Sequence, residues 1–358
     1  MEKNDTYLIT GATGQLWPMV LKSLIQEGID PEVIHLLVRS KEKAKRVFET
    51  HGIPEMPTII WDITEGFETL KWKIPPEITH IVNMAGSVKF WEASRTEVER
   101  VNLQGAITMA KLALAQWRLT HVSTSYILGR VDTELTENFI GTETVRKPKN
   151  PYEEAKWNAE VAIGQIFAWQ REKLQIVRPS ILTDAIARPD LWWELHAAMW
   201  YYAPFIHLRK SLNERWIKGW VDLEWFEFAG NYDNPINIID NQIAGEIIGR
   251  AIIEHKSRAL NVVSSTPPAY GDLTNYVLET LQLTGYSING RLIQHGQTSI
   301  KIGDIEQWRA LKRVIESGYN RNSKPNYFPY ATHNSRFAGG IELNNKELAA
   351  SAVKALLQ

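Results

Sequence analysis

The first half of the chain alternates between two hydrophobic periods. Short apolar runs of strand type occur at Tyr7–Thr10, Val33–Val38, Thr58–Trp61, His80–Asn83, Thr120–Ser123 and Gln175–Val177. Between them lie stretches whose apolar positions recur at helical spacing, such as Met19–Glu27, Val98–Leu114 and Glu153–Trp169. Strand, helix and strand in this rhythm imply parallel pairing through right-handed crossovers. The pattern predicts an α/β fold with a doubly wound parallel sheet. In such a sheet, ligand-binding residues sit just beyond the carboxyl ends of the strands.

After Ser180 the rhythm breaks. Residues 185–235 are rich in Trp, Tyr and Phe, and six of the 14 tryptophans fall here: Trp192, Trp193, Trp200, Trp216, Trp220 and Trp225. Pro235–Asp240 and Ala259–Val263 read as strands returning to the sheet, with helix Gln242–Glu254 between them. From Gly271 the pattern is helical, then loop-like through Tyr319–Gly340, and a last helix is expected at Asn345–Leu357. The expected division is a Rossmann-type dinucleotide-binding domain from 1–184 plus 235–265. A smaller, mainly helical substrate domain is expected from 185–234 plus 266–358. Aromatic stripes at helical spacing read first as core, and second as the wall of an apolar channel.

Composition narrows the chemistry. Hydrophobic residues make up 44% and charged residues 23%, and the net charge is -1. No overall field draws the chain to nucleic acid or an acidic membrane surface. Cysteine is absent, which excludes disulfides, thiolate metal sites and cysteine nucleophiles and suits a reducing compartment. No run is apolar and long enough to span a bilayer, and the polar start lacks a signal-peptide pattern, so a cytoplasmic location is expected. His196 and His207 show no metal-ligand spacing, and no metal is expected.

The motifs point to a dinucleotide. Thr10-Gly11-Ala12-Thr13-Gly14-Gln15-Leu16-Trp17 follows the first strand and opens a helix, where backbone amides can meet a pyrophosphate. Trp17 stands where a third glycine is expected, so its indole either turns aside or obstructs the cofactor. Arg39 ends the second strand, where an acidic residue would favour NAD and an arginine a 2′-phosphate. The nearby Lys41, Lys43, Lys45 and Arg46 read as a solvated helix face. Asp62 and Ile63 follow the third strand, where an adenine could be held; Asp62 reads equally as a cap for the turn at Thr64. Asn83-Met84-Ala85-Gly86 supplies small residues after the fourth. Ser123-Thr124-Ser125 ends the fifth, and Tyr152 and Lys156, four apart, share one helix face downstream. An ammonium beside a phenol is expected to lower its pKa and to make it a proton donor or acceptor near neutrality.

Together these residues resemble the extended short-chain dehydrogenase/reductase superfamily over roughly 6–280. Within it the chain is similar to fatty acyl-CoA reductases and thioester reductase domains. The resemblance is carried by Thr10–Gly14, Gly86–Phe90, Val101–Gly105, His121–Tyr126, Asn150–Lys156, Val177–Ser180 and Gly219–Asp222. It implies NADPH-dependent reduction of an acyl thioester, on CoA or on an acyl or peptidyl carrier protein, to aldehyde or alcohol. Thr124, Tyr152 and Lys156 would be catalytic: Thr124 and Tyr152 act on the substrate oxygen, while Lys156 holds the ribose and tunes Tyr152. The implied cofactor-binding set is Gly11, Thr13, Gly14, Gln15, Leu16, Arg39, Asp62, Ile63, Ala85, Asn102, Lys156, Pro179 and Ile181. Trp17 departs from the pattern, as does Thr183, where a glycine often stands. The alternatives are a carbonyl reductase, a nucleotide-sugar epimerase or a non-catalytic relative. Arg39 and the aromatic segment favour the thioester reductase.

Overall fold

The six apolar runs of the first half form parallel strands, with boundaries moved by a residue or two. The computed structural model describes residues 5–12, 14, 16–90, 92–129, 133–183, 198–228, 230–288, 290–294, 299–301 and 339. In chain order come β1 (Tyr7–Thr10), α1 (Trp17–Gln26), β2 (Ile34–Val38), α2 (Lys41–His51), β3 (Thr58–Ile60), α3 (Phe67–Leu70) and β4 (His80–Asn83). Next are α4 (Arg95–Val98), a π-helical stretch at Glu99–Gln104, α5 (Gly105–Gln116), β5 (Arg118–Val122), α6 (Pro151–Ile166) and β6 (Leu174–Pro179). They are followed by β7 (Ile181–Thr183), α7 (Ala198–Glu214), β8 (Trp220–Phe228), β9 (Ile238–Asp240), α8 (Asn241–Glu254) and β10 (Ala259–Val262). The last described elements are α9 (Tyr270–Thr280), β11 (Leu283–Ile288), β12 (Arg291–Ile293) and β13 (Ser299–Lys301).

Seven strands form one parallel sheet in the order β10-β6-β5-β4-β1-β2-β3. The order reverses between β1 and β4, and it is beyond the carboxyl ends of such a switch point that open α/β sheets bind ligands. Leu8, Ile81, Leu119 and Ile176 of the strands pack with Ala106, Met109 and Ala110 of α5 and Ala159 and Ile163 of α6. The alanines let these helices lie close to the sheet. Elsewhere α1 and α8 meet closely: a Cβ on Gly245 or Gly249 would come within 2.4 Å of Met19 or Ser23.

The chain divides into two units. One holds residues up to Ser180 with Asn241–Val263; the other holds Ile181–Asp240 and the described residues from Ser264 to Lys301. Ala259–Val263 returns to the main sheet as β10, as the pattern predicts. Pro235–Asp240 does not: β9 pairs with β7 in a separate two-stranded sheet. Three buried residues specify a strand but not its neighbour.

The smaller unit holds more strand than its sequence pattern predicts, with a four-stranded sheet in the order β12-β11-β8-β13. In β8 the inward residues Val221, Leu223, Phe226 and Phe228 alternate until Glu224 and Trp225, whose positive φ angles of 49° and 69° interrupt the period. That irregularity, bracketed by aromatics, hides the strand from a pattern reading. The aromatic segment divides by residue type. Phe205, Phe226, Phe228 and Tyr286 stack in the core at 5.0–5.6 Å, whereas Trp216 and Trp225 are exposed. Trp192, Trp193, His196 and the helix expected at Asn345–Leu357 lie outside the described residues, as does Tyr319–Gly340 apart from Gly339.

Candidate functional site

The turn after β1 is shaped by one backbone position. Gly11 has φ +79°, and a Cβ there would lie 2.6 Å from the carbonyl carbon of Met84 beyond β4. Only glycine permits both the angle and the approach. The amide of Gly14 donates to the carbonyl of Gly11 at 3.0 Å, closing the turn. Leu16 precedes α1 and offers the first amides of that helix no side-chain cap. Thr13 and Gln15 lie outside the described residues.

Trp17 resolves the tension left by the missing glycine. Its side chain is 1% exposed and its ring lies 5.8 Å from Phe48 of α2. The indole therefore turns into the α1–α2 packing, and Pro18 sets the first helical turn beside it. Its Nε1 is buried and meets no acceptor among the described residues.

Beyond β2, Arg39 is exposed, as are Lys41, Lys43, Lys45 and Arg46, and Ser40 caps α2 through the amide of Lys43 at 3.2 Å. Asp62 does what its capping alternative predicts, accepting from the amide of Thr64 at 2.9 Å. Partial burial raises the carboxyl's pKa. The Thr64 hydrogen bonds and the charges of Arg39 and Arg100 outweigh it and hold the pKa below the usual range. Arg100 donates to the Thr64 hydroxyl at 2.9 Å. Ile63 is buried, and a Cβ on Gly105 would meet it at 3.0 Å.

Beyond β4, the amide of Ala85 donates to the Thr10 hydroxyl at 3.1 Å. Asn102 grips the backbone of Ser87 with both ends of its amide, at 2.7 and 2.9 Å. It orders the loop after β4, which is what the buried side chain does in this structure.

Thr124 follows β5, and the cap of α6 delivers Tyr152 to it. Asn150 accepts from the amide of Glu153 at 2.9 Å, Pro151 opens the helix, and Tyr152 and Lys156 stand one turn apart. The Thr124 hydroxyl hydrogen-bonds Tyr152, and Phe90 packs edge-on against the phenol at 5.5 Å. Lys156 is buried and donates from Nζ to the carbonyl of Val122 at 2.8 Å. A Cβ on Gly86 would lie 3.5 Å from that same nitrogen.

The electrostatics differ from the sequence expectation. Burial pushes the Tyr152 phenol up to about 12; the Thr124 hydrogen bond lowers it and the Glu153 charge raises it. The Lys156 ammonium is turned to the carbonyl of Val122. Burial also lowers Lys156 to about 8, against an opposing pull from Glu160. The Tyr152 phenol thus keeps its proton through the neutral range.

Some members of this neighbourhood escaped the motif reading. Arg178 of β6 and Glu160 of α6 form a buried ion pair at 2.7 Å, and Arg178 also donates to the carbonyls of Thr136 and Asn138. Asn83 and His121, buried at the ends of β4 and β5, hydrogen-bond each other at 3.1 Å. A polar residue inside an apolar run is the signal that would have found them. Pro179 ends β6, and Ile181 belongs to β7 of the other unit.

With this geometry in hand, known proteins give a reference. Residues 67–210, which include Thr124, Tyr152 and Lys156, match an NAD-binding family model described as male sterility protein. The expected likeness to short-chain dehydrogenase/reductases is thus one to this family model over part of the chain and to solved structures by fold. A thiolation-reductase di-domain from an archaeal non-ribosomal peptide synthetase is similar at TM-score 0.63 and 15% identity, over 99% of this chain and 75% of that one. The UDP-glucose 4-epimerase of Thermotoga maritima is similar at 0.61 and 12%, over 98% and 97%. The dTDP-glucose 4,6-dehydratase of Bacillus anthracis, in complex with NAD, is similar at 0.59 and 14%, over 98% and 96%. At these identities the likeness is one of fold. Comparison with curated protein sequences gives no match. Among the described residues no helix is long and apolar enough to cross a membrane.

Proposed function

We propose that the protein is an NADPH-dependent reductase of an acyl thioester, carried on CoA or a carrier protein. The meeting of Thr124, Tyr152 and Lys156 beyond β5 carries this reading. The chain fits a dinucleotide: Gly11 presents bare backbone, Leu16 gives the first turn of α1 no side-chain cap, and Trp17 faces Phe48. In this reading Gly11, Gly14 and Leu16, with Thr13 and Gln15, hold the pyrophosphate. Arg39 takes the 2′-phosphate, Asp62 and Ile63 lie on the adenine side, and Ala85, Asn102 and Pro179 belong to the nicotinamide half. When bound, NADPH supplies a hydride. The likeness to a thiolation-reductase di-domain supports a thioester, and the equally similar folds of a UDP-glucose 4-epimerase and a dTDP-glucose 4,6-dehydratase make a sugar nucleotide the second reading.

The chain's own residues do the rest. An ammonium has three donors, and Val122 takes one from Lys156, which leaves two for ribose hydroxyls. Tyr152 keeps its proton until the substrate carbon accepts a hydride, then gives it to the carbonyl oxygen. Thr124 steadies that oxygen beside the phenol. The product is a hemithioacetal, which expels the thiol to leave an aldehyde; a second reduction gives the alcohol.

The test is oxidation of NADPH, and of NADH in parallel, across acyl thioesters, aldehydes and sugar nucleotides. Turnover of thioesters with release of free thiol is expected. Turnover of sugar nucleotides alone would replace the reading with an epimerase or dehydratase. Equal use of NADH would remove the role of Arg39, and NADPH binding without any turnover would make the chain a non-catalytic relative.

A further inference from the structure

At the switch point of the sheet, a short chain of buried hydrogen bonds crosses the carboxyl ends of β1, β4 and β5. The amide of Ala85 donates to the Thr10 hydroxyl at 3.1 Å. Thr10 Oγ1 lies 2.7 Å from Asn83 Oδ1, and Asn83 Nδ2 lies 3.1 Å from His121 Nδ1. Thr10, Asn83 and His121 are all buried.

The direction of this chain follows from donor counting. A backbone amide can only donate, so Thr10 Oγ1 accepts from Ala85. Its own hydrogen then needs an acceptor, and Asn83 Oδ1 is the one it meets among the described residues. That fixes the Asn83 amide with its NH₂ toward His121, and Nδ1 of the imidazole must accept. The proton of neutral His121 therefore sits on Nε2, which is buried without an acceptor among the described residues.

We propose that Asn83 is a positioning residue of the cofactor site: it ties the strand ends that carry the Gly11 turn, the Ala85–Gly86 turn and Thr124, and it holds His121 as the Nε2–H tautomer. The functional half of this proposal rests on the dinucleotide reading above; the tautomer does not. His121 lies beside Val122, whose carbonyl holds Lys156. Burial and the Lys156 charge keep the imidazole well below its usual pKa. A neutral ring at this place spares Lys156 a second adjacent cation.

The experiment reads the ring nitrogens of His121 by ¹⁵N NMR in the full chain, with the signal assigned by His121→Gln, alongside NADPH titration. Wild type should show a neutral Nε2–H ring. Thr10→Val removes the hydroxyl that orients Asn83. It should shift the His121 signal toward mixed tautomers and weaken NADPH binding about tenfold, the scale of one buried hydrogen bond left unmade. Thr10→Ser keeps the hydroxyl and should restore both. Asn83→Asp turns an acceptor toward His121 and should move the proton to Nδ1, which wild-type chemistry forbids. An Nδ1–H ring in the wild type overturns the proposal. So does an unchanged His121 signal in Thr10→Val, or an unchanged NADPH affinity in a variant whose His121 signal has moved. If Thr10→Val fails to fold, the wild-type tautomer and Asn83→Asp still decide. If wild type does not bind NADPH, the dinucleotide reading falls while the tautomer result stands.

Discussion

The central sheet carries two buried polar ladders, and they differ in what lies beyond them. Toward the amino ends, His80 of β4, Gln175 of β6 and His255 after α8 converge on Thr120 of β5 at 2.9–3.3 Å. The rings of His80 and His255 meet edge to face at 4.7 Å. At the carboxyl ends, Thr10, Asn83 and His121 form the second ladder, beside Lys156 and short of Thr124 and Tyr152. Both are built from similar groups, and each leaves a buried ring nitrogen, His80 Nδ1 in one and His121 Nε2 in the other, without a partner among the described residues. The upper one holds turns built from glycine and alanine, where a ligand can approach backbone. Buried polar groups are thus not in themselves a mark of function. What separates the ladders is the direction in which the strands point and the small residues that follow them.

Five measurements can break that contrast. The largest effect is expected at the upper end. Tyr152→Phe removes the donor proton and should lower turnover by about 10²–10⁴-fold, with NADPH affinity and melting temperature near wild type. A variant with full turnover would remove Tyr152 from the chemistry.

Trp17 belongs to the upper end by position and to the core by packing. Trp17→Gly should cost about 3–5 kcal/mol in chemical denaturation, the scale for deleting a buried large aromatic. NADPH should bind no more tightly than to wild type, because the indole already faces Phe48. Tighter binding would show that the indole obstructs the cofactor after all.

At the lower end, Thr120→Val should cost about 1–3 kcal/mol in stability by stranding buried partners, and should leave NADPH affinity alone. The imidazoles there make the fold acid-sensitive. Burial lowers His255 to about 4 and His80 well below 6.5. Folding therefore favours their neutral forms, and that stability is complete above pH 6.5 and is lost as pH falls toward the folded values. Thermal melts from neutral to acidic pH should show the decline in wild type.

The smallest expected effect is a pH limb. Lys156 is charged below about 8 in the folded protein, and Tyr152 keeps its proton to about 12. The rate should therefore fall as pH rises through about 8, and the limb should report Lys156 rather than Tyr152. A rate that stays flat well beyond that value would mean that the ammonium is not needed.

Much of the first unit was legible because periodicity and chain order say the same thing there. Six apolar runs separated by helical stretches leave few topologies, and the glycine turn after β1 and the Tyr152/Lys156 pair follow from local spacing. The second unit was less legible. Three-residue strands carry too little pattern, and consecutive left-handed residues in β8 break its alternation.

By itself, then, the sequence determined the sheet and put the candidate residues Thr124, Tyr152 and Lys156 at its carboxyl edge. These are consequences of local period and of the handedness of strand–helix–strand crossovers. Only the tertiary structure decided where Trp17 turns, that Asp62 caps its own turn, and that burial rather than Lys156 governs Tyr152. It alone joined Thr10, Asn83 and His121. The reason is physical. Direction of a side chain, desolvation and hydrogen-bond partnership depend on groups tens of residues away, and no local spacing encodes them.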